Sequence, residues 1–182
     1  MKSKKADIWV SAILYFGLGI IIISILLAAG LPAINKLRDK NVVLQTKEVF
    51  QILDKNIRDV VRGGPGGQRV VKVDIKKGDF KIDDLKEQIT WEYDTKIALS
   101  EPGKTEQDAT PVSEGNLKIQ TWTSGDGYKV KLWISYSENA NSEKNIINLL
   151  PSVTTITGIT DLAIRNDGAE NKKIKVSISE VK

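Results

Sequence analysis

Hydrophobic positions follow three different patterns along the chain. From Ile8 to Ile34, 27 consecutive residues carry no formal charge, and no polar face recurs among them. A helix of that length rises roughly 40 Å at about 1.5 Å per residue, more than the ~30 Å hydrocarbon core of a bilayer requires. Farther on, Phe50, Leu53, Ile57 and Val60 with Val61 recur at steps of three and four, while Lys47, Asp54, Lys55, Arg58, Asp59 and Arg62 fall mostly off that line. This spacing predicts an amphipathic helix. Neither Gly nor Pro occurs from Ala33 to Arg62, so it should continue the apolar helix, with Gly30 and Pro32 marking a kink or a thin point. Gly63-Gly64-Pro65-Gly66-Gly67 should stop the helix and form a flexible elbow. It lacks the Lys-Ser/Thr pair and the incoming strand of a phosphate-binding loop.

Beyond the elbow the period becomes two. Val71, Val73 and Ile75 alternate with charged residues, as do Ile89, Trp91 and Tyr93 with polar ones. Leu117, Ile119 and Thr121 lead through Ser124-Gly125-Asp126-Gly127 into Val130, Leu132, Ile134 and Tyr136, which predicts a hairpin. Thr160–Arg165 and Ile174–Val181 should form a second, turning at Asn166-Asp167-Gly168, and residues 100–115 should be an exposed loop. The predicted class is α+β: a long N-terminal helix, hydrophobic and then amphipathic, followed by an antiparallel, β-rich, sandwich-like globular domain. That domain should contain six to eight strands and needs cover on at least one face, which the charged amphipathic helix is placed to give. The segments are a leader at 1–6, the helix at 7–62, the elbow at 63–68 and the β domain at 69–182.

Composition narrows the chemistry. Among 182 residues there is no Cys and no His, which removes thiol nucleophiles, disulfides, imidazole acid–base steps and the common zinc ligands. The formal charge of +4 is concentrated early: residues 1–62 hold ten Lys/Arg and five Asp/Glu, whereas residues 63–182 hold seventeen and eighteen. The only local basic group in the later part, Lys172-Lys173-Lys175, alternates with Ile174 and Val176 as a solvated strand face does. Nucleic acid is therefore not an expected partner. Carboxylates alone suffice for glycoside hydrolysis, but no pair is marked by an apolar setting, and no catalytic, cofactor-binding or metal residue is assigned. Asp79, Asp83 and Asp84 lack the spacing of a calcium loop and read as a charged turn. Trp91, Trp122 and Trp133 could line a carbohydrate surface, but they fall on strands where large aromatics usually pack a core. No Asn-x-Ser/Thr triplet occurs, so ordinary N-glycosylation is not expected.

The apolar run exceeds the 7–15 residues usual for a secretory signal peptide, although Ala28-Ala29-Gly30 looks cleavable. Lys2, Lys4 and Lys5 precede it and should stay cytoplasmic, placing the β domain outside. Lys36, Arg38 and Lys40 beyond its other end weaken that signal and are partly offset by Asp39.

This order of parts, a short basic leader, an abrupt apolar run, an amphipathic continuation and a carboxy-terminal β domain, resembles archaeal type IV pilin-like proteins, related in plan to archaellins. The residue-level likeness lies in Lys4-Lys5-Ala6-Asp7 and the apolar run. In that family a class III signal peptide places a basic pair and then Gly or Ala before the prepilin peptidase cut. The resemblance implies cleavage between Ala6 and Asp7, with the transmembrane helix kept in the mature subunit. Ser11, fifth after that cut, stands where bacterial pilins usually carry Glu, which fits an archaeal-type relative better. The function implied is structural: a subunit of a cell-surface, extracellular filament for adhesion, contact or motility. The implied partners are copies of itself in a helical filament, the prepilin peptidase and pilus assembly machinery, and the membrane before assembly. Gly17, Gly19, Ala28, Ala29, Gly30 and Leu37 are the expected helix–helix assembly positions, the small residues allowing close backbone approach. Removing six residues would lower the formal charge from +4 to +1 and make leaving the bilayer less costly. The alternative is a single-pass, membrane-anchored extracytoplasmic β domain with a binding or accessory role.

Overall fold

A computed structural model describes residues 4–137, 146–171 and 173–181. Its order is one helix, α1 (Lys4–Arg62), then β1 (Gln68–Asp83), β2 (Gln88–Thr95), β3 (Val112–Glu114), β4 (Leu117–Ser124), β5 (Gly127–Ser135), β6 (Ile146–Pro151), β7 (Thr155–Glu170) and β8 (Lys173–Glu180). The α+β class and the upper strand count follow the sequence pattern. The expected leader is only partly described, because residues 1–3 and the side chains of 4–8 lie outside the described residues, as does Lys172. Helix α1 runs through Pro32 without a break in its assigned helix.

The chain divides into two compact units, Met1–Arg38 and Asp39–Lys182. The helical boundary expected at the glycine elbow is thus a change of secondary structure, while packing changes earlier, at Asp39. In the second unit, Val43, Thr46, Phe50, Leu53, Ile57 and Val60 are buried at alternating steps of three and four. This seam covers one face of a single eight-stranded sheet, in the order β3-β4-β5-β2-β1-β7-β8-β6. All pairings are antiparallel except β6 with β8. Burial of one such aliphatic or aromatic side chain contributes about 1.5–3 kcal/mol, so the helix is a main part of the core.

Strand β1 shows how the sheet keeps its apolar face inward over 16 residues. Val71, Val73 and Ile75 are buried at odd positions, but Phe80 and Ile82 are buried at even ones. The change occurs at a bulge, where pairing with β7 jumps from Ile75–Gly158 to Phe80–Ile156. Gly78 sits there at φ 85°, and an added Cβ would come within 2.6 Å of the Glu92 carbonyl. Glycine is required on both counts.

Three expectations are corrected. The β4–β5 hairpin turns at Gly125-Asp126 as expected, but β7 continues past Asn166-Asp167-Gly168, which is a bulge, and the strand ends at Glu170. The bulge persists because buried Asn166 has another task. Its side-chain amide donates to the Val60 and Val61 carbonyls at 3.3 and 3.5 Å, occupying acceptors at the end of α1. The glycine elbow is consequently pinned rather than flexible: the Gly66 amide donates to the Asn166 carbonyl at 2.8 Å and the Asn166 amide to the Gly67 carbonyl at 2.9 Å. Finally, Trp91 is fully buried, but Trp122 and Trp133 lie half-buried on the opposite sheet face. Trp133 pairs with Thr90 and Lys118, and Trp122 with Lys129, so both occupy the polar parity of their strands.

Residues 100–115, read as an exposed loop, are largely so, yet they also dock on that opposite face. Buried Gln120 donates to the Glu106 and Ala109 carbonyls at 2.7 Å each, and Lys131 reaches Glu106 at 2.6 Å. The segment ends in the short edge strand β3.

Candidate functional site

The feature that the fold leaves unaccounted for is the first part of α1. Trp9, Ile13, Leu14, Tyr15, Phe16, Ile23 and Leu26 are each more than half exposed. An 18-residue window here has a mean hydropathy of 2.6 and no part of it is buried. The helix is apolar all round, whereas the later helix is apolar along one seam; an all-apolar helix is stable only where water is excluded. Its Ser24 is compatible with such a setting, since its hydroxyl donates to the Ile20 carbonyl at 2.8 Å. By length and composition the helix is fit to span a membrane, and it fits membrane association.

The expected assembly positions can be located on it. Gly17, Gly19, Ala28, Ala29, Gly30 and Leu37 all lie in α1, and Leu37 is strongly exposed. A Cβ placed on Gly17, Gly19 or Gly30 would meet nothing within 4 Å. Glycine inside a helix costs about 1 kcal/mol relative to alanine. Among the described residues no contact requires that cost at these positions. Lys4, Lys5, Ala6 and Asp7, the residues carried over from the processing motif, form the start of α1.

Asp39, where the second unit begins, was read only as a partial counter-charge. Its Oδ1 accepts from the Tyr93 hydroxyl at 2.8 Å, and its Oδ2 accepts from the Lys96 amide at 3.0 Å and the Thr95 hydroxyl at 3.1 Å. Burial raises the Asp39 pKa, but these bonds outweigh it and hold the carboxyl below its ordinary value. Burial and the facing carboxylate push Tyr93 up to about 12. A small cleft of about 160 Å³ opens beside this group, lined by residues including Asp94, Lys96, Asp126 and Tyr128. The Asp39 carboxylate at its edge is already satisfied by the protein itself.

A second polar anchor lies lower on the helix. Asp54, nearly buried, accepts from Arg58 Nε at 3.0 Å and from the Asn116 amide at 2.8 Å. Nearby, burial first and then Asp54 raise the fully buried Tyr136 hydroxyl well above its ordinary pKa. Lys47 reaches Glu114 at 2.7 Å. Asp39, Lys47, Asp54 and the Val60–Val61 carbonyls thus tie the helix to the β domain at intervals of six to eight residues.

Among the described residues no group of three or more His, Cys, Asp or Glu is placed to hold a metal ion. In the stretch once weighed as a calcium site, Asp83 Oδ1 accepts from the Lys86 amide at 3.0 Å, the bond of a capped turn. Glu87 is the described carboxylate whose pKa burial raises overall; its Oε2 accepts from the Leu149 amide at 2.6 Å. It thereby occupies an amide of edge strand β6, beside Pro151, which has none to offer.

Sequence reasoning missed Asp39, Glu87 and Asn166, because each acts through a contact with a residue more than 50 positions away. No family model matches the chain, and no curated protein or solved structure does either.

Proposed function

We propose that the chain is a structural subunit of an archaeal type IV pilus-like surface filament, polymerising through the first part of α1 and displaying the β domain outward. The single observation that carries this reading is the division within one continuous helix. Its later turns are fixed in the core of the second unit, while its earlier turns expose apolar side chains and glycines that none of the described residues covers. Many copies packing these helices together would exclude water from them, as interdigitating side chains do in any helix bundle. The peptidase cut between Ala6 and Asp7 would leave the apolar helix at the start of the mature subunit. Adhesion, contact or motility would then belong to the filament.

A second reading, a permanent single-pass anchor carrying an extracytoplasmic binding or accessory domain, is favoured by the basic residues Lys36, Arg38 and Lys40 just past the apolar run. The two are separated by mass spectrometry of the terminal peptide of protein from its native cells. A start at Asp7, with recovery in sheared surface filaments, is expected for the filament subunit. A start at Met1 or Lys2, with all protein retained in membranes, would overturn it.

A further inference from the structure

We infer that Lys36, Arg38 and Lys40 form a basic collar that binds the anionic lipid headgroups at the carboxy-terminal end of the membrane span. The inference rests on the membrane-inserted state of α1, which both readings above share.

The first support is an excess of positive charge that no ion pair takes up. All three side chains are exposed, and among the described residues none makes an ion pair or hydrogen bond. The only acidic residue between them, Asp39, has both carboxylate oxygens committed to Tyr93, Thr95 and the Lys96 amide. Asp39 stays ionised but makes no ion pair with these bases, so the stretch from Lys36 to Lys40 keeps a formal charge of +2.

The second support is arrangement. At 3.6 residues per turn, positions 36 and 40 share one side of α1 and position 38 lies nearly opposite. Charges distributed around a helix suit a layer that surrounds it better than a protein partner that meets one face. Spacing agrees with this. From Lys5 to Lys36 is 31 residues of continuous helix, a rise of about 46 Å at ~1.5 Å each, close to the ~40–45 Å of a bilayer with its headgroup regions. A helix with Lys4 and Lys5 in one headgroup layer therefore brings the collar to the other. Basic side chains at a span's end extend their charge to the interface while their stems remain in apolar surroundings. A collar of this kind would hold the subunit in the membrane after the leader lysines are removed.

The test uses the full chain inserted into vesicles of phosphatidylcholine mixed with phosphatidylglycerol. Flotation first establishes insertion, and native mass spectrometry then counts the lipids retained per chain. Wild type should retain phosphatidylglycerol in preference to phosphatidylcholine. Each basic residue near an anionic surface contributes roughly fivefold, so K36Q/R38Q/K40Q should lower retained phosphatidylglycerol by up to about a hundredfold while floating normally. K2Q/K4Q/K5Q should leave the collar's share in place. Retention by K36Q/R38Q/K40Q at the wild-type level would overturn the collar and leave the membrane reading intact. Failure of wild type to float would overturn both.

Discussion

Phe16 and Phe50, Leu26 and Leu53, and Ile23 and Ile57 are like pairs on one helix, yet the first of each pair is 73, 66 and 58 % exposed and the second 0, 1 and 0 %. Residue type and secondary structure are the same in both regions. What differs is periodicity: the later turns repeat apolar residues along one seam, and a sheet of the same chain fills it. The earlier turns have no polar side, and no sheet or helix of the described chain covers them. A seam specifies a partner surface with one orientation, which the chain itself supplies. An apolar surface all round calls for an apolar environment instead, whether lipid or other copies of the same helix.

The contrast can be broken by substitutions that should act on one region only. The largest effect is expected from Phe50→Ala, since removing a buried aromatic costs about 3–5 kcal/mol. Thermal unfolding of the second unit should fall sharply while membrane flotation is unchanged. Ile22→Lys should do the reverse, because a charge near mid-bilayer costs about 3 kcal/mol in translocon-based scales. Flotation should drop while the unfolding temperature of the β domain stays within error.

Smaller effects sharpen the boundary between the regions. Asn166→Ala removes the side-chain donor to the buried Val60 carbonyl at the end of α1 and should cost about 1–3 kcal/mol, read by denaturant unfolding. Asp39→Asn should lose a similar or smaller amount at neutral pH. The sign follows from the lowered carboxyl: the charged form is favoured on folding, so its contribution is present above the unfolded value near 3.8 and is lost as pH falls through the folded one. The stability difference between wild type and variant should therefore shrink in acid. Gly19→Leu should change the stability of the isolated chain by less than about 1 kcal/mol and in the favourable direction, because nothing lies near its Cβ. Under the proposed function it should nevertheless reduce filament yield in native cells.

The sequence showed the architecture best where a period was unbroken. The seam from Phe50 to Val60 and the hairpin at Gly125-Asp126 both follow from local pattern. It failed where a bulge changed the parity. Gly78 allowed β1 to continue through Asp79, although the charged turn is found at Asp83 and Asp84, and Asn166 in β7 imitated a hairpin while its amide capped a distant helix. Trp122 and Trp133 misled because an aromatic's preference for strands does not choose between sheet faces. The candidate assembly helix was legible from composition alone. The engagement of Asp39, which fixes the helix to the sheet where the second unit begins, required contacts with Tyr93, Thr95 and Lys96 that no spacing announces.

The most direct test of assembly through the first part of α1 is disulfide crosslinking in native cells, for which the absence of any Cys makes the chain well suited. Single substitutions Ile23→Cys and Leu27→Cys would be compared with Lys72→Cys, an exposed strand position, after mild oxidation of sheared surface material. Crosslinked dimers at helix positions, extending to a ladder of higher species when both helix cysteines are present, are expected, with monomer alone for Lys72→Cys. Monomer at every helix position in material that still contains the protein would contradict polymerisation through this helix.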